Sequence, residues 1–371
     1  MADPLDRLDG SPYFRDGQIS SVSRKTFTIA GIQVTVFGLD ELPACEIEIS
    51  CIWLLHPRLS TKERMSGIAN EIVTSWNKQV SDDRNTSNAL PPRKGVIAIA
   101  LDHRNHGTRL VEPSRNGNWR EGNARHADDM YNTYHGTAQD VSMLIDHLPS
   151  AISVCTINQN VVLGVSLGGY AAWHCILHDP RITAAVVIIG SPDYMNLMVD
   201  RARLSKLPSW KRGDPPGSQF LHSESFPSTL IEMVHKYDPA CLFLGGLNAE
   251  PGTVPLRKGP IADPTDIEKK SLRPLLMQTL GGKQILNISG GRDKAIPYPH
   301  AEAFLNWLKR ATAADGWFAD GAVNFEDILY KDAAHEVTPD MAHKAVDFIM
   351  QVVARSRDSK RGFSHIDKPR I

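Results

Sequence analysis

Residues 161–171 read Val-Val-Leu-Gly-Val-Ser-Leu-Gly-Gly-Tyr-Ala. An apolar run reaches Ser166 with Gly164 two residues before it and Gly168 and Gly169 just after. The spacing is G-x-S-x-G, the pattern of a nucleophile elbow: a strand turns sharply into a helix and holds a serine hydroxyl above the sheet. A Cβ at a flanking position would collide with the neighbouring chain, so glycine is needed on both sides. The helix that follows opens with free N–H groups facing the serine. The context agrees, because residues 160–163 are β-like and residues 170–177 read as a helix.

The same alternation extends outward. Residues 25–29 and 32–37 read as a hairpin turning at Ala30-Gly31. A strand is expected over 46–55 and a helix over 61–79, where Met65, Ile68, Ile72 and Trp76 share a face. Residues 80–94, with Pro91-Pro92, read as a polar loop before a buried strand at 96–101. Val141, Leu144, Ile145 and Leu148 predict a helix over 137–148. Strands over 161–165, 183–189, 283–289 and 325–330 follow, with helices over 300–310 and 340–354. This order predicts an α/β fold, a doubly wound and mostly parallel sheet with an antiparallel start. The roughly ninety residues between Gly190 and Lys283 are too long for a simple crossover and read as an inserted lid or cap. Two helices are expected within it, over 194–207 and 228–236.

A serine hydroxyl needs a base, and the base needs an acid to fix its tautomer. The chain has 14 histidines, so position must choose. In open sheets of this kind, sites gather beyond the carboxyl ends of strands. After the strand at 283–289 comes Gly290-Gly291-Arg292-Asp293, and after the last strand comes Ala333-Ala334-His335-Glu336. Singly, Asp293 reads as a turn aspartate and His335 as a loop histidine. Jointly, Ser166, Asp293 and His335 stand in chain order on three strand ends, which predicts a catalytic triad.

With these residues, the chain resembles α/β-hydrolase fold enzymes of the serine esterase/lipase type over residues 46–354. The elbow Gly-Val-Ser-Leu-Gly-Gly, the acid turn Gly-Gly-Arg-Asp and the histidine turn Ala-Ala-His-Glu carry the resemblance. Asp102-His103-Arg104-Asn105-His106-Gly107 is similar to a D-x-R-G-H-G turn of that family, which implies bracing rather than reacting roles for Asp102 and Arg104. The resemblance also implies an oxyanion hole of backbone N–H groups. Leu167, directly after the nucleophile, supplies one. The family's usual His-Gly is His56-Pro57 here, and proline has no N–H, which passes the second role to Arg58 or else Leu59.

The chain of 371 residues has 42% hydrophobic and 22% charged residues and a net charge of −1. Such a composition supports a sizeable core and argues against nucleic acid or an anionic membrane as partner. No run is long and apolar enough to span a bilayer. The start lacks the basic-then-apolar order of a signal peptide. Five scattered cysteines (45, 51, 155, 175 and 241) form no C-x-x-C pair, so they read as free thiols in a reducing, cytoplasmic setting. The tail Pro369-Arg370-Ile371 reads as an arbitrary polar end, with a divergent peroxisomal address as the alternative. His126, Asp128 and Asp129 lack supporting ligands and read as a solvated helix start, so no metal and no cofactor are expected. The long segment 108–135 could roof the site.

Four units are expected: an N-terminal extension and hairpin (1–45), a first core part (46–191), an inserted lid (192–281), and a second core part with the tail (282–371). The expected activity is serine hydrolysis of a carboxylic ester, thioester or lactone in lipid or secondary metabolism. An amidase or peptidase using the same triad and a non-catalytic binding protein of this fold are the alternatives. The partner is a small-molecule acyl substrate. Leu242-Phe243-Leu244 and the stretch from Met195 to Met198 in the lid predict an apolar acyl pocket.

Overall fold

A computed structural model describes residues 2–11, 13–14, 22–43, 48–86, 94–154, 157–246 and 256–355. Cys45, Cys155 and the tail Pro369-Arg370-Ile371 lie outside the described residues, as do the start of the strand expected from 46 and residues 87–93 of the loop expected over 80–94.

Eight strands form one sheet: β1 (Arg24–Ile29), β2 (Ile32–Phe37), β3 (Glu48–Leu55), β4 (Lys94–Leu101), β5 (Gln159–Val165), β6 (Ile182–Ile188), β7 (Gln284–Gly290) and β8 (Asn324–Tyr330). Their spatial order is β1-β2-β4-β3-β5-β6-β7-β8. The hairpin β1–β2 is antiparallel and β2 joins β4 antiparallel, while every later pair is parallel. The helices are α1 (Ser66–Thr86), α2 (His126–Ala151), α3 (Leu167–His178), α4 (Tyr194–Ser205), α5 (Pro208–Lys211), α6 (Ser228–Tyr237), α7 (Pro239–Leu244), α8 (Asp266–Leu280), α9 (Pro299–Thr312) and α10 (Pro339–Arg355).

The period-2 geometry of the strands divides the core in two. Cys51, Trp53 and Leu55 of β3, with Ile97, Ile99 and Leu101 of β4, face α2, α3 and α9. The intervening Ile52, Leu54, Ala98 and Ala100 face α1 and α10. Both faces of the central strands are therefore apolar, the usual condition for a parallel sheet covered on both sides. Leu5 and Leu8, from the N-terminal extension, add to the α1/α10 side.

Three departures from the expected elements have local causes. Helix α1 runs on to Thr86 through residues read as loop, and the polar Ser81 and Asp82 in that run are exposed. Helix α2 starts at His126, eleven residues before its expected start at 137, because Tyr131 and Tyr134 bury themselves beneath the inserted segment rather than roofing a loop. Only 107–125 is irregular, and it contains three single 3₁₀ turns. Between β6 and β7 the structure holds the short α5 and α7 and the longer α8 besides the two expected helices. Thr265 and Glu268 form a capping box at the start of α8. That T-x-x-E was legible in the sequence, but the polar composition and Pro274 hid the helix. Leu276 and Leu280 pack α8 into the same core as α3.

Candidate active site

The turn after β5 places Ser166 at φ +54° and ψ −110°, a conformation that non-glycine residues rarely adopt. Its surroundings enforce this. A Cβ on Gly164 would lie 1.9 Å from the Gly168 carbonyl oxygen, and one on Gly168 would lie 2.1 Å from that of Leu55. The Ser166 N–H donates to Ile188 O at 2.9 Å, and its carbonyl accepts from Gly169 N at 2.9 Å. Strand, turn and α3 are thus locked together, with the hydroxyl directed out of the sheet.

The other two residues arrive by strand adjacency. β7 and β8 are parallel neighbours, and their exit turns touch. A Cβ on Gly290 would meet Ala334 O at 2.5 Å, one on Gly291 would meet Lys331 O at 2.6 Å, and Arg292 N donates to Ala333 O at 2.9 Å. In consequence His335 Nδ1 lies 2.7 Å from Asp293 Oδ2, and its Nε2 lies 3.0 Å from Ser166 Oγ. The other Asp293 oxygen accepts the N–H groups of Ala295 and Ile296, each at 2.8 Å. Asp293 is buried, and both of its carboxylate oxygens take part in these hydrogen bonds. The network assigns the tautomer: Nδ1–H donates to Asp293, leaving Nε2 bare to accept the serine proton.

Residues 57–59, Ser166, Leu167 and His335 border one cavity of about 80 Å³. Leu167 and Arg58 both border it, and the backbone N–H of neither donates to another described residue. Leu59 sits at φ +63° with its side chain exposed, turning the loop away just beyond Arg58. His56 anchors this loop. It is wholly buried, its Nδ1 donates to Pro57 O at 2.7 Å, and its Nε2 accepts from His103 N at 3.1 Å. Burial drives its pKa down to about 3, so it remains neutral.

Asp102 and Arg104 brace the loops. Asp102 accepts from Lys62 N, Lys62 Nζ, Thr108 N and Thr108 Oγ1 at 2.7–3.2 Å. Burial alone would raise its pKa, but the Thr108 and Lys62 donors outweigh that and hold it below the usual carboxylate range. Gly107, at φ +50°, leaves room for the carboxylate, since a Cβ there would fall 2.2 Å from Asp102 Oδ1. Arg104 reaches across Gly136 to Asp140 at 2.9 Å.

Sequence reasoning missed two contributors. Ala2, Asp3 and Pro4 border the cavity, held by Val337 N donating to Pro4 O at 2.8 Å and by Ser60 Oγ donating to Asp3 at 2.8 Å. Arg201 of α4 also enters it. The expected apolar lining is corrected: Met195, Leu197 and Met198 are buried in the main core, and Phe243 stacks on Phe304 and Trp307. An amphipathic run shows that a face is buried, not which core receives it. His126 is also corrected. It starts a helix as expected, but it is buried against Trp119 rather than solvated.

Among the described residues, Asp193, Asp238 and Cys241 have metal-ligand spacing. Their oxygens are already used. Asp193 pairs with Arg257 and caps α4 at Asn196 N, while Asp238 accepts from Tyr194 N and Cys241 N.

No protein-family model matches the sequence, and no curated protein matches it. Among solved structures, TT1662 from Thermus thermophilus is similar over 90% of this chain and 99% of its own, with TM-score 0.53 and 16% identity. An acylaminoacyl peptidase of Pyrococcus horikoshii is similar over 94% of this chain, which spans 44% of the peptidase, with TM-score 0.49 and 12% identity. The esterase Pf2001 of Pyrococcus furiosus is similar over 89% of this chain and 92% of its own, with TM-score 0.43 and 13% identity.

Proposed function

The chain has the α/β-hydrolase fold, and from that premise we propose that it is a serine hydrolase that cleaves a carboxylic ester, thioester or lactone through an acyl-enzyme. The observation that carries this reading is the continuous hydrogen-bonded line Ser166–His335–Asp293, 3.0 Å and 2.7 Å long. Ser166 Oγ attacks the acyl carbon as its proton passes to His335 Nε2. Asp293 stays ionised and balances the imidazolium. The carbonyl oxygen becomes an oxyanion held by the N–H groups of Leu167 and Arg58. The imidazolium then protonates the leaving alkoxide or thiolate, and the acyl group stays on Ser166. A water molecule, deprotonated by His335, attacks that acyl group, and the carboxylic acid leaves with the serine restored.

The segment from residue 191 to α7 is the cap in this reading. Helix α8 behaves as a crossover helix, since it packs beside α3. The buried free thiols of Cys51, Cys175 and Cys241 support a reducing, cytoplasmic setting. No described helix is long and apolar enough to cross a membrane.

A fluorophosphonate probe tests the reading, together with rates on matched ester, thioester and anilide substrates. Labelling at Ser166, abolished in Ser166→Ala, is expected. Ser166→Ala and His335→Gln should each lower ester turnover by roughly 10⁴-fold while the fold is kept. Retention of a tenth of the activity in either variant removes that residue from the mechanism. Faster anilide than ester cleavage would move the enzyme to the amidases.

A further inference from the structure

The Ser166 cavity holds two guanidinium groups that have no direct carboxylate partner among the described residues. Arg201, from α4, and Arg58, from the loop after β3, both line it. Neither forms an ion pair with a carboxylate among the described residues. Their neighbours differ: Arg203, two residues on from Arg201, pairs with Asp200 at 2.6 Å, and Arg104 and Arg109 share Asp140 at 2.9 and 2.8 Å.

Arg201 is held in place, but only by neutral groups. Its Nη2 donates to Ala295 O at 2.9 Å, and its Nη1 faces Met130 Sδ at 3.2 Å and His126 Nε2 at 3.4 Å. His126 points Nδ1–H at Gly117 O, 3.2 Å away, so Nε2 is an acceptor. Burial first, then the charges of Arg201 and Arg58, keep that imidazole neutral. Arg58 spends Nη1 on Asn116 O at 2.9 Å. Burial and then the charge of Arg201 lower its pKa, with Glu121 offsetting part of the effect.

The acids at the cavity are committed elsewhere. Asp3 accepts from Ser60, Leu5 and Arg64 at 2.8–3.3 Å. Asp293 serves His335 and two backbone N–H groups. Partly burying two guanidinium groups at one cavity, neither in a direct ion pair, is unfavourable, and a bound anion relieves it. A carboxylate matches the planar donor fork of arginine.

We propose that Arg201, assisted by Arg58, forms an anion subsite beside Ser166 that binds a carboxylate of the substrate, so that the enzyme prefers carboxylate-bearing esters such as hemiesters of short dicarboxylic acids. This rests on the serine hydrolase reading of the same cavity.

Aryl esters of matched length test it: 3-carboxypropanoyl, butanoyl and 4-aminobutanoyl esters of one phenol, and a butanoyl ester of 3-hydroxybenzoate. Each kcat/KM is taken from the enzyme-dependent rate after the uncatalysed rate at the same pH, which includes attack by the acyl chain's own carboxylate or amine, has been subtracted. The anionic acyl ester should exceed the neutral one by roughly tenfold or more, mainly through KM, and the amine should be poorest. The gap should narrow in high salt. A preference for the hydroxybenzoate ester instead assigns the subsite to the leaving group. Arg201→Gln should lower the anionic-to-neutral ratio at least tenfold, Arg201→Lys should restore part of it, and Arg201→Glu should favour the amine. Binding of monomethyl succinate to Ser166→Ala, followed by calorimetry, should be lost when Arg201→Gln is added. Charge-blind kcat/KM, or absent binding, overturns the subsite. Fluorophosphonate labelling of Ser166 in the same preparations separates the two readings, because the probe is neutral: labelling without charge preference leaves the hydrolase standing and removes the subsite.

Discussion

At the residue scale, the decisive positions are those where one atom more would not fit. Gly168 lies against the backbone of Leu55, and a Cβ there would come within 2.1 Å of a carbonyl oxygen that cannot yield as a side chain can. Gly168→Ala should therefore destabilise the protein by about 3 kcal/mol or more, measured by urea unfolding. A loss under about 1 kcal/mol would mean that β3 and α3 can part more easily than the packing implies. Ser166→Ala differs, because it removes a hydroxyl without adding bulk and retains the unusual φ, so its melting temperature should match the wild type. Both contrasts were legible in the sequence, since G-x-S-x-G states where bulk is forbidden. The unpaired Arg201 was not legible. An arginine in a polar, charge-rich helix looks like any solvated arginine until its neighbours are known.

At the element scale, the inserted helices are joined by a buried acid pair. Asp193 caps α4 and Asp238 caps α7, and Arg257 is the ion-pair partner of Asp193 among the described residues. Two carboxylates facing one guanidinium leave an excess negative charge. Burial first, and then the charge of Asp193, push the Asp238 carboxyl up to about 8. The unfolded chain loses that proton near the ordinary aspartate value of about 4. Between these limits the folded state holds more protons, so this pair contributes stability at acid pH that is lost as pH rises towards 8. The melting temperature should fall between pH 6 and pH 8.5, and Asp238→Asn should flatten that fall at some cost in helix capping. An unchanged slope in the variant would place the proton elsewhere. The elements themselves were largely readable: the strands from β4 onward end within about two residues of their expected limits, as apolar β runs do. The early start of α2 and the presence of α8 were less so: α2 buries Tyr131 and Tyr134 beneath the inserted segment, and α8, polar and carrying Pro274, buries little more than Leu276 and Leu280 beside α3, which no local periodicity reports.

At the scale of the whole molecule, the N-terminal extension closes the structure as well as the cavity. Leu5 and Leu8 are buried with α1 and α10, while Ala2, Asp3 and Pro4 border the Ser166 cavity. Removing residues 1–9 should cost about 3 kcal/mol or more of stability, from the loss of two buried leucines. The shortened chain should also lose discrimination among acyl groups, because its cavity opens on that side. Denaturant titration together with the ester series checks both outcomes. Unchanged stability would show that the segment merely rests on the surface.

What the sequence determined by itself is local or periodic. The elbow at Ser166, the alternation of strands and helices, and the placing of Asp293 and His335 after strands all follow from patterns a few residues long. Such patterns decide backbone geometry, and the sheet then carries the strand ends to one edge. Tertiary structure alone decided which side chains meet across the cavity. Arg58, Arg201 and Asp3 come from three distant segments, and their charges acquire meaning only when burial removes the water that would otherwise screen them. Chain order encodes no such burial, because it depends on every element that packs around the site.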